Sequence, residues 1–528
     1  MELKDIKEFD KAAQKSQPEL LRFGLAFLFI VGVMFFTWAR GDGSFLLVVA
    51  AMIGGYMAMN IGANDVANNV GPAVGSRALT MIGALVIAGV CEAAGALIAG
   101  GDVVATIRGG IISQDQIGSA DTFVWLMMGA LLAGAIWLNI ATAIGAPVST
   151  THSIVGGVLG AGIAAGGWGV VSWGKVSAIA ASWVISPVLG GLIAAAFLYL
   201  IKRRITYQSD MMDAARRVVP VLVALMAGVF ITYLMLKGVR AVVKVSFYSA
   251  IFWGVIGGGL VYLFVRPRVA WYSRQTGEAV GDKAKVNRMF TVPLIFAAAL
   301  LSFAHGANDV ANAVGPLAAI ADVLTHSGAG VSEAAKIPLW VMMVGAVGIA
   351  LGLALFGPKL IRTVGSEITE LDQMRAYCIA MAATLTVIVA SQLGLPVSST
   401  HIAVGGVFGV GFLREYLKSN YQRMVQDIKD HHPEGDQAAI DAFLVRFDAA
   451  AIDDKGAMLR VLKAEAKARS EGALFSAHER KGLRKVYRGE VVKRSQLKKI
   501  IAAWLITVPA SATLGALFFF AIRGAMLP

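Results

Sequence analysis

The sequence predicts an all-α polytopic membrane protein with about 12 or 13 transmembrane segments, arranged as two inverted-topology repeats with broken helices. Three observations lead to this prediction. Hydrophobic residues make up 57% of the chain and charged residues only 15%, which is typical of a protein whose main solvent is lipid. Apolar stretches long enough to cross a bilayer recur along the chain. Two polar motifs also occur twice, in the same order, within this apolar background.

The first element is an apolar run, 23–39, that follows a mixed-charge N-terminal stretch. No small-residue cleavage site ends the run, so a retained first span is expected rather than a signal peptide. Thirteen segments are apolar and, at roughly 20 residues, most are long enough to span as helices. Two of them, near 148–165 and 397–413, are short and Gly-rich, so either could be re-entrant. The others lie near 45–63, 79–100, 122–145, 176–201, 218–236, 247–265, 290–307, 338–357, 376–394 and 500–522.

Loop charge gives the orientation, because Lys and Arg hold loops in the cytoplasm. The basic loops 202–217 and 266–288 are predicted to be cytoplasmic, whereas 101–121, with three Asp and a single Arg, suits the outside. The loop 237–244 does not fit, since it is basic where the count places it outside. The net charge of +13 is interpreted as the same topological effect, and no nucleic-acid partner is expected.

One long polar stretch, 414–499, precedes the last span. Its charges alternate in sign, as in RVLKAEAK at 460–467, a pattern typical of solvated amphipathic helices. Its end is rich in Lys and Arg, so we expect a basic helical insert in the cytoplasm. No acid–base or metal-binding constellation occurs in it, which favours a structural or regulatory appendage.

The chain contains two copies of one pattern. The segment GANDVANNVGP at 62–72 returns as GANDVANAVGP at 306–316, and PVSTTH at 147–152 returns as PVSSTH at 396–401. A weaker third match pairs WVISP from Trp183 with WLITVP from Trp504. If every segment spans, the copies lie seven segments apart, and an odd separation makes them opposite in orientation. Inverted repeats are a recurring plan of secondary transporters, whose binding site lies where the halves meet.

The repeats divide the chain into six predicted parts. They are an N-terminal cytoplasmic segment with the first span (1–44), repeat 1 of the core (45–201), a two-span linker (202–289), repeat 2 (290–413), the basic insert (414–499) and a last span completing repeat 2 (500–528).

Each GAND motif places a carboxylate inside the membrane, where an acidic residue is costly and usually functional. The preceding Gly-Ala pair is expected to unwind the helix and to free backbone carbonyls. Hard cations such as Na⁺ are bound by such carbonyls together with Asn and Asp oxygens. The candidate ligands for a coupling Na⁺ are Asn64, Asp65, Asn308 and Asp309.

The PVS motifs are interpreted as helix starts inside the membrane, with Pro in the first turn and Ser or Thr as cap. Free backbone N–H groups and the helix dipole make such a start a ready anion site. Two facing starts would surround a tetrahedral oxyanion with donors. The candidate anion-binding residues are Ser149, Thr150, Thr151, Ser398, Ser399 and Thr400, with Asn68 and Asn312.

Four further residues have open roles. His152 and His401 could donate to the anion, relay a proton or hold the loop, and the structural role is favoured. Glu92 could pair with a coupling ion or proton, or bond a neighbouring helix. Its nearest equivalent in repeat 2 is about Ile349. His305 has Ile61 as its counterpart and is assigned to packing.

The duplicated GANDVAN and PVS-S/T-TH motifs resemble those of the inorganic phosphate transporter family, over about 45–413 and 500–522. The resemblance implies phosphate as substrate and symport with a cation. It also implies that the Asn-Asp pairs serve the coupling ion, with phosphate as a second ligand, and that the hydroxyl residues serve phosphate. The Gly-Ala-Asn-Asp form of the motif is more similar to that of sodium-coupled members than to that of proton-coupled ones, which favours Na⁺ over H⁺. The large insert departs from the family, in which it usually divides the halves.

The resemblance therefore implies a secondary active transporter that imports phosphate by alternating access, in a plasma or inner membrane. A sulfate permease of the same architecture is the alternative. A channel and a membrane-embedded hydrolase are less favoured, because the duplicated motif suits two gates around one site. No nucleotide-binding loop of the Walker type is present, which argues against an ATP-driven pump. No enzyme activity and no cofactor beyond the coupling ion are expected, and a homodimer stays open.

Overall fold

The computed structural model describes residues 3–40, 44–144, 148–239, 243, 245–275, 282–325, 337–367, 372–430, 442–443, 445–446 and 494–526. Its helices are α1 (Leu3–Ala39), α2 (Phe45–Gly75), α3 (Met81–Ala99), α4 (Gly101–Gly109), α5 (Ala120–Ala143), α6 (Thr150–Gly166), α7 (Trp173–Ile201), α8 (Met211–Lys237), α9 (Phe247–Gln275), α10 (Asp282–Met289), α11 (Thr291–Asp309), α12 (Ala311–Thr325), α13 (Leu339–Glu367), α14 (Gln373–Gln392), α15 (Ser399–Asp430) and α16 (Arg494–Met526). The sole β contact among these residues is a bridge between Ile112 and Val171. The all-α prediction is confirmed.

Eleven helical stretches in the described part of the chain are long and apolar enough to cross a membrane. They match eleven of the thirteen predicted segments, with α10 to α12 counted as one stretch, Asp282–Thr325. The two remaining segments correspond to α6 and to the start of α15, the two that are short and Gly-rich. The structure is therefore a polytopic bundle of the predicted class.

The helices of the two repeats pack reciprocally. The helix α6 of repeat 1 lies between α5 and α16, and its counterpart α15 of repeat 2 lies between α14 and α7. In the same way α2 packs along α13 and α3 packs along α11. Each repeat thus covers helices of the other, as expected of two halves related by a pseudo-twofold axis.

Four glycines allow these helices to cross with their backbones in direct contact. A Cβ at any of them would overlap a backbone carbonyl of the partner helix: Gly62 against Ile349, Gly352 against Met59, Gly306 against Glu92, and Gly95 against Phe303. The contacts come in two matched pairs, one at each repeat. They make Glu92 and Ile349 structural equivalents, as the sequence spacing suggested.

The expected unwinding at Gly62 does not occur. Helix α2 runs without interruption from Phe45 to Gly75, and in repeat 2 the helix breaks only at Val310, after the motif's Asp309. The reason is that Gly62 and Gly306 serve the close crossings with α13 and α3. The backbone therefore stays helical at Asn64 and Asp65, and these residues offer their side chains, not free backbone carbonyls, to the interior.

Several predicted features lie wholly or partly outside the described residues. Pro147 and the basic positions Arg240 and Lys244 are among them. Helix α15 continues from repeat 2 as far as Asp430, and so enters the predicted insert at 414–499, most of which is not described. The domain boundaries stay predictions.

Candidate functional site

Two helix starts form the centre of the site. The Ser149 hydroxyl accepts a hydrogen bond from the His152 backbone N–H at 3.1 Å, and Ser398 accepts from the His401 N–H at 3.2 Å. Both serines are therefore N-caps, and the predicted helix starts are confirmed. Pro396 differs from the prediction, because it lies before the helix and not in its first turn.

The two starts contact each other directly. Thr151 Oγ1 of repeat 1 donates to the Val397 carbonyl of repeat 2 at 3.0 Å. Asn64 Nδ2 holds the first start by donating to the Val148 carbonyl at 2.8 Å, and Asn308 Nδ2 holds the second by donating to Leu395 at 3.1 Å. The motif asparagines of both repeats thus fix the segments that lead into the starts.

Asp65 receives hydroxyl groups from both repeats. Thr150 Oγ1 donates to its Oδ2 at 2.9 Å, and Thr400 Oγ1 donates to its Oδ1 at 2.9 Å. Asn64 Nδ2 lies 2.9 Å from the same Oδ1. The carboxylate is fully buried, so these three donors stabilise its charge in place of water.

Asp309, its counterpart, has fewer donors. Ser399 Oγ donates to its Oδ2 at 3.0 Å, and the other oxygen has no hydrogen-bond partner. The neighbouring Asn308 is turned away, toward Ser391 Oγ at 3.0 Å. The two aspartates therefore occupy matched positions with different surroundings.

The second asparagine of each motif reaches across to the other repeat. Asn68 Nδ2 donates to Thr400 Oγ1 at 2.8 Å. Asn312 Nδ2 lies 3.2 Å from Thr150 Oγ1 and 3.3 Å from Thr151 Oγ1. The structure thus brings all the predicted anion-binding and ion-binding residues into one buried cluster, and hydrogen bonds between the repeats join most of them into a network.

His305 belongs to this network, although sequence reasoning assigned it to packing. Its ring is fully buried, with Nε2 2.8 Å from Asp309 Oδ2 and 3.6 Å from Asp65 Oδ2. Its other nitrogen, Nδ1, lies 3.3 Å from Glu92 Oε2. The i,i+4 spacing between His305 and Asp309 was the sequence signal that could have shown their proximity.

Glu92 connects this histidine to a third helix. Asn69 Nδ2 donates to Glu92 Oε1 at 2.8 Å, so both carboxylate oxygens face polar groups. Asn69, Glu92 and His305 form a polar triad, and the equivalent positions of the other repeat are apolar. Asn69, Glu92 and His305 correspond to Ala313, Ile349 and Ile61.

The cluster has oxygens to offer a cation. Asp65, His305 and Asp309 each present a ligand atom within 4.8 Å of the others. Asn64 Oδ1, Asp309 Oδ1 and Asn312 Oδ1 are buried and accept no hydrogen bond. Unpaired buried acceptors cost free energy, and hard cations are bound by such oxygens. The carboxylate and amide oxygens, unlike the His305 nitrogen, are of the type that a hard cation such as Na⁺ prefers.

Comparison with known proteins gives a consistent result. Residues 61–515 match the model of the phosphate transporter family. A "Putative phosphate permease" of Helicobacter pylori is 53% identical over 531 aligned residues, with 99% of each chain covered. One of Thermococcus kodakarensis is 38% identical over 72% of this chain and 92% of its own. A solved structure described as "The sodium-dependent phosphate transporter" has a TM-score of 0.73 at 30% identity, covering 92% of this chain and 100% of its own.

The family match spans both repeats and the network described above, and this is a family of transporters. The chain belongs to the phosphate transporter family.

Proposed function

We propose that the chain is a secondary active transporter that imports inorganic phosphate by symport with Na⁺, by alternating access around the network at the two helix starts. The observation that supports this most directly is the sharing of Asp65 between Thr150 of repeat 1 and Thr400 of repeat 2. One carboxylate therefore accepts hydrogen bonds from both repeats, so a change in its charge affects both. The similarity to a protein described as a sodium-dependent phosphate transporter supports the choice of ion.

The proposed Na⁺ ligands are the oxygens of the paired motifs. Asp65 and Asp309 supply negative charge, while Asn64 and Asn308 supply amide oxygens. Asn64 Oδ1 is free to bind, but Asn308 Oδ1 accepts from the Val397 backbone N–H at 3.2 Å. The asparagine of the first repeat is therefore closer to a cation-ready arrangement than that of the second, whereas among the aspartates Asp309 has the unpaired oxygen.

The proposed phosphate ligands are the hydroxyls and the backbone N–H groups of the two helix starts. The positive ends of α6 and α15 favour an anion there. The hydroxyls come from Ser149, Thr150, Thr151, Ser398, Ser399 and Thr400, with the amides of Asn68 and Asn312 beside them.

The network also gives a physical reason for coupling. Thr150, Thr400 and Ser399 now donate to the aspartates, and a hydroxyl has one proton to donate. A cation bound to the carboxylates reduces their demand for these donors. The hydroxyls then become available to phosphate, so each ligand promotes binding of the other. Such reciprocity is what symport requires.

We further propose that the protein lies in a plasma or inner membrane with the insert 414–499 in the cytoplasm. The basic composition of that insert supports this orientation.

Uptake of labelled phosphate into proteoliposomes tests the proposal. An inward Na⁺ gradient should drive accumulation, a proton gradient alone should not, and excess sulfate should compete poorly. Accumulation driven by protons alone would overturn the choice of ion. Failure of phosphate uptake under both gradients, or displacement of phosphate by sulfate, would overturn the substrate in favour of the sulfate alternative or another anion.

A further inference from the structure

The first turns of α6 and α15 hold a pair of histidines that the ion-coupling scheme does not use. His152 and His401 are 5% and 1% exposed, and their ring centroids lie 4.5 Å apart at nearly a right angle. Trp183 packs on His152 at 3.9 Å, and Trp504 packs on His401 at 3.8 Å. Four aromatic rings are therefore in continuous contact across the boundary between the repeats.

None of the four ring nitrogens has a hydrogen-bond partner. A neutral imidazole carries one N–H donor and one bare acceptor nitrogen, so each ring leaves a donor and an acceptor unpaired. Buried polar groups without partners are rare in native proteins, and each calls for a functional or structural explanation. Here the same arrangement occurs in both copies of a duplicated motif, which points to a shared ligand.

A metal ion does not suit this pair. Protein zinc sites use at least three protein ligands. Within the described residues, the one group of three or more potential metal ligands is Asp65, His305 and Asp309. Sodium prefers oxygen ligands to imidazole nitrogens.

The position of the rings suits an oxyanion. Each histidine follows directly on the hydroxyl residues, and its backbone N–H bonds the N-cap serine. The positive ends of the two helices that carry the rings therefore meet, as the contact between Thr151 and Val397 shows. A ligand that satisfies both rings must offer an acceptor and also a donor. An oxyanion that carries a proton does so.

We propose that His152 and His401 form a subsite that recognises the protonated oxygen of phosphate. This rests on the function proposed above. One ring N–H donates to a phosphate oxygen, and the bare nitrogen of a ring accepts from the P–O–H group. Phosphate keeps at least one proton at neutral pH, whereas sulfate has none to donate. The pair thus distinguishes two anions of the same shape, since sulfate leaves a ring nitrogen unpaired.

Transport kinetics of variants test this subsite. His152→Leu and His401→Leu remove both ring functions, whereas His152→Gln and His401→Gln retain an amide donor and acceptor. Phosphate uptake and its inhibition by sulfate are measured in proteoliposomes under an inward Na⁺ gradient. We expect each Leu variant to raise the KM for phosphate at least tenfold and to lower the preference over sulfate by a similar factor. The Gln variants should recover most of both. Asp121→Asn, at an exposed position in the first turn of α5, is the control, and it should leave the anion preference unchanged.

An unchanged preference in the Leu variants, or equal behaviour of Leu and Gln, would overturn the proposal and leave the rings as packing. If the Leu variants do not fold, nitrogen NMR of ¹⁵N-histidine-labelled wild-type protein replaces them, with assignment by His152→Gln. Added phosphate should shift ring-nitrogen signals of His152 and His401, and added sulfate should not. Signals unmoved by phosphate would contradict the subsite. Failure of wild-type phosphate uptake would instead reject the proposed function itself.

Discussion

The two helix starts are matched between the repeats more completely than the acidic cluster formed by Asp65, Asp309, Glu92 and His305. At the starts, each feature of repeat 1 has a partner in repeat 2: the capping serine, the hydroxyls, the histidine and the tryptophan behind it. In the acidic cluster the aspartates are matched, but His305 and Glu92 are present on one side only. The proposed anion-binding residues are thus matched in both repeats, whereas the proposed cation-binding cluster is matched only in its aspartates.

The difference suggests how a duplicated transporter divides its tasks. An oxyanion at a pseudo-twofold axis can be held equally by both repeats in either direction of opening. A cation cluster gains from asymmetry, because identical carboxylates crowded together repel each other. Here His305 lies between Asp65 and Asp309, at ion-pairing distance from both, and thereby separates them.

Removal of either matched acid should have the largest effect. We expect Asp65→Asn and Asp309→Asn each to reduce Na⁺-driven phosphate accumulation at least a hundredfold, because the cation loses a charged ligand. Uptake in proteoliposomes measures this. Asp121→Asn, at an exposed position in the first turn of α5, is the control and should retain uptake. Normal accumulation by either motif variant would remove that aspartate from the mechanism.

The asymmetric triad should have the next largest effect. Glu92→Gln removes the negative charge beside His305, which itself contacts both motif aspartates. We therefore expect about tenfold weaker apparent affinity for Na⁺, equivalent to about 1.4 kcal/mol. Ile349→Leu changes the equivalent position of the other repeat and should leave the Na⁺ dependence as it is. The measurement is the initial uptake rate as a function of Na⁺ concentration. Equal behaviour of the two variants would contradict a functional asymmetry.

Two threonines at matched positions sharpen the comparison. Thr400 donates to Asp65, whereas Thr151 donates to the Val397 carbonyl. We therefore expect Thr400→Val to weaken the effect of Na⁺ on phosphate affinity by about tenfold, and Thr151→Val to change it less than threefold. The check is the KM for phosphate at low and at saturating Na⁺. The reverse order of effects would show that the hydroxyl on Asp65 does not link the two ligands.

The crossing glycines should affect stability more than transport kinetics. In Gly62→Ala the new Cβ meets the Ile349 backbone, whereas in Gly32→Ala it meets nothing within 4 Å. We expect the first change to cost about 1–3 kcal/mol, as overpacking of a tight contact does, and the second to be nearly neutral. Thermal unfolding in detergent measures both. Equal midpoints would mean that the helix crossing is not closely packed in solution.

Much of this arrangement could be predicted from the sequence, because membrane helices and duplicated motifs leave strong patterns. Apolar length located the spans, and the serines before His152 and His401 located the helix starts. The motif acids were found because a carboxylate in an apolar segment is conspicuous. These signals are local, so a single chain displays them.

The remainder depended on three-dimensional contacts. The expected break at Gly62 was wrong, because a glycine permits unwinding and close helix approach alike, and only the position of Ile349 decides between them. The partners of His305 come from three helices. The sequence does show one sign that the two repeats differ here, since Asn69 occupies the position that Ala313 has in repeat 2. That difference alone does not identify the side chains that His305 contacts.

The most direct test of the central claim is equilibrium binding of phosphate to the purified protein in Na⁺ and in K⁺ at equal ionic strength. We predict at least tenfold tighter phosphate binding in Na⁺ for the wild-type protein, and no such difference for Asp65→Asn, since the cation releases the hydroxyls held by Asp65. Phosphate affinity that is the same in both salts would contradict the coupling of the two ligands through this network.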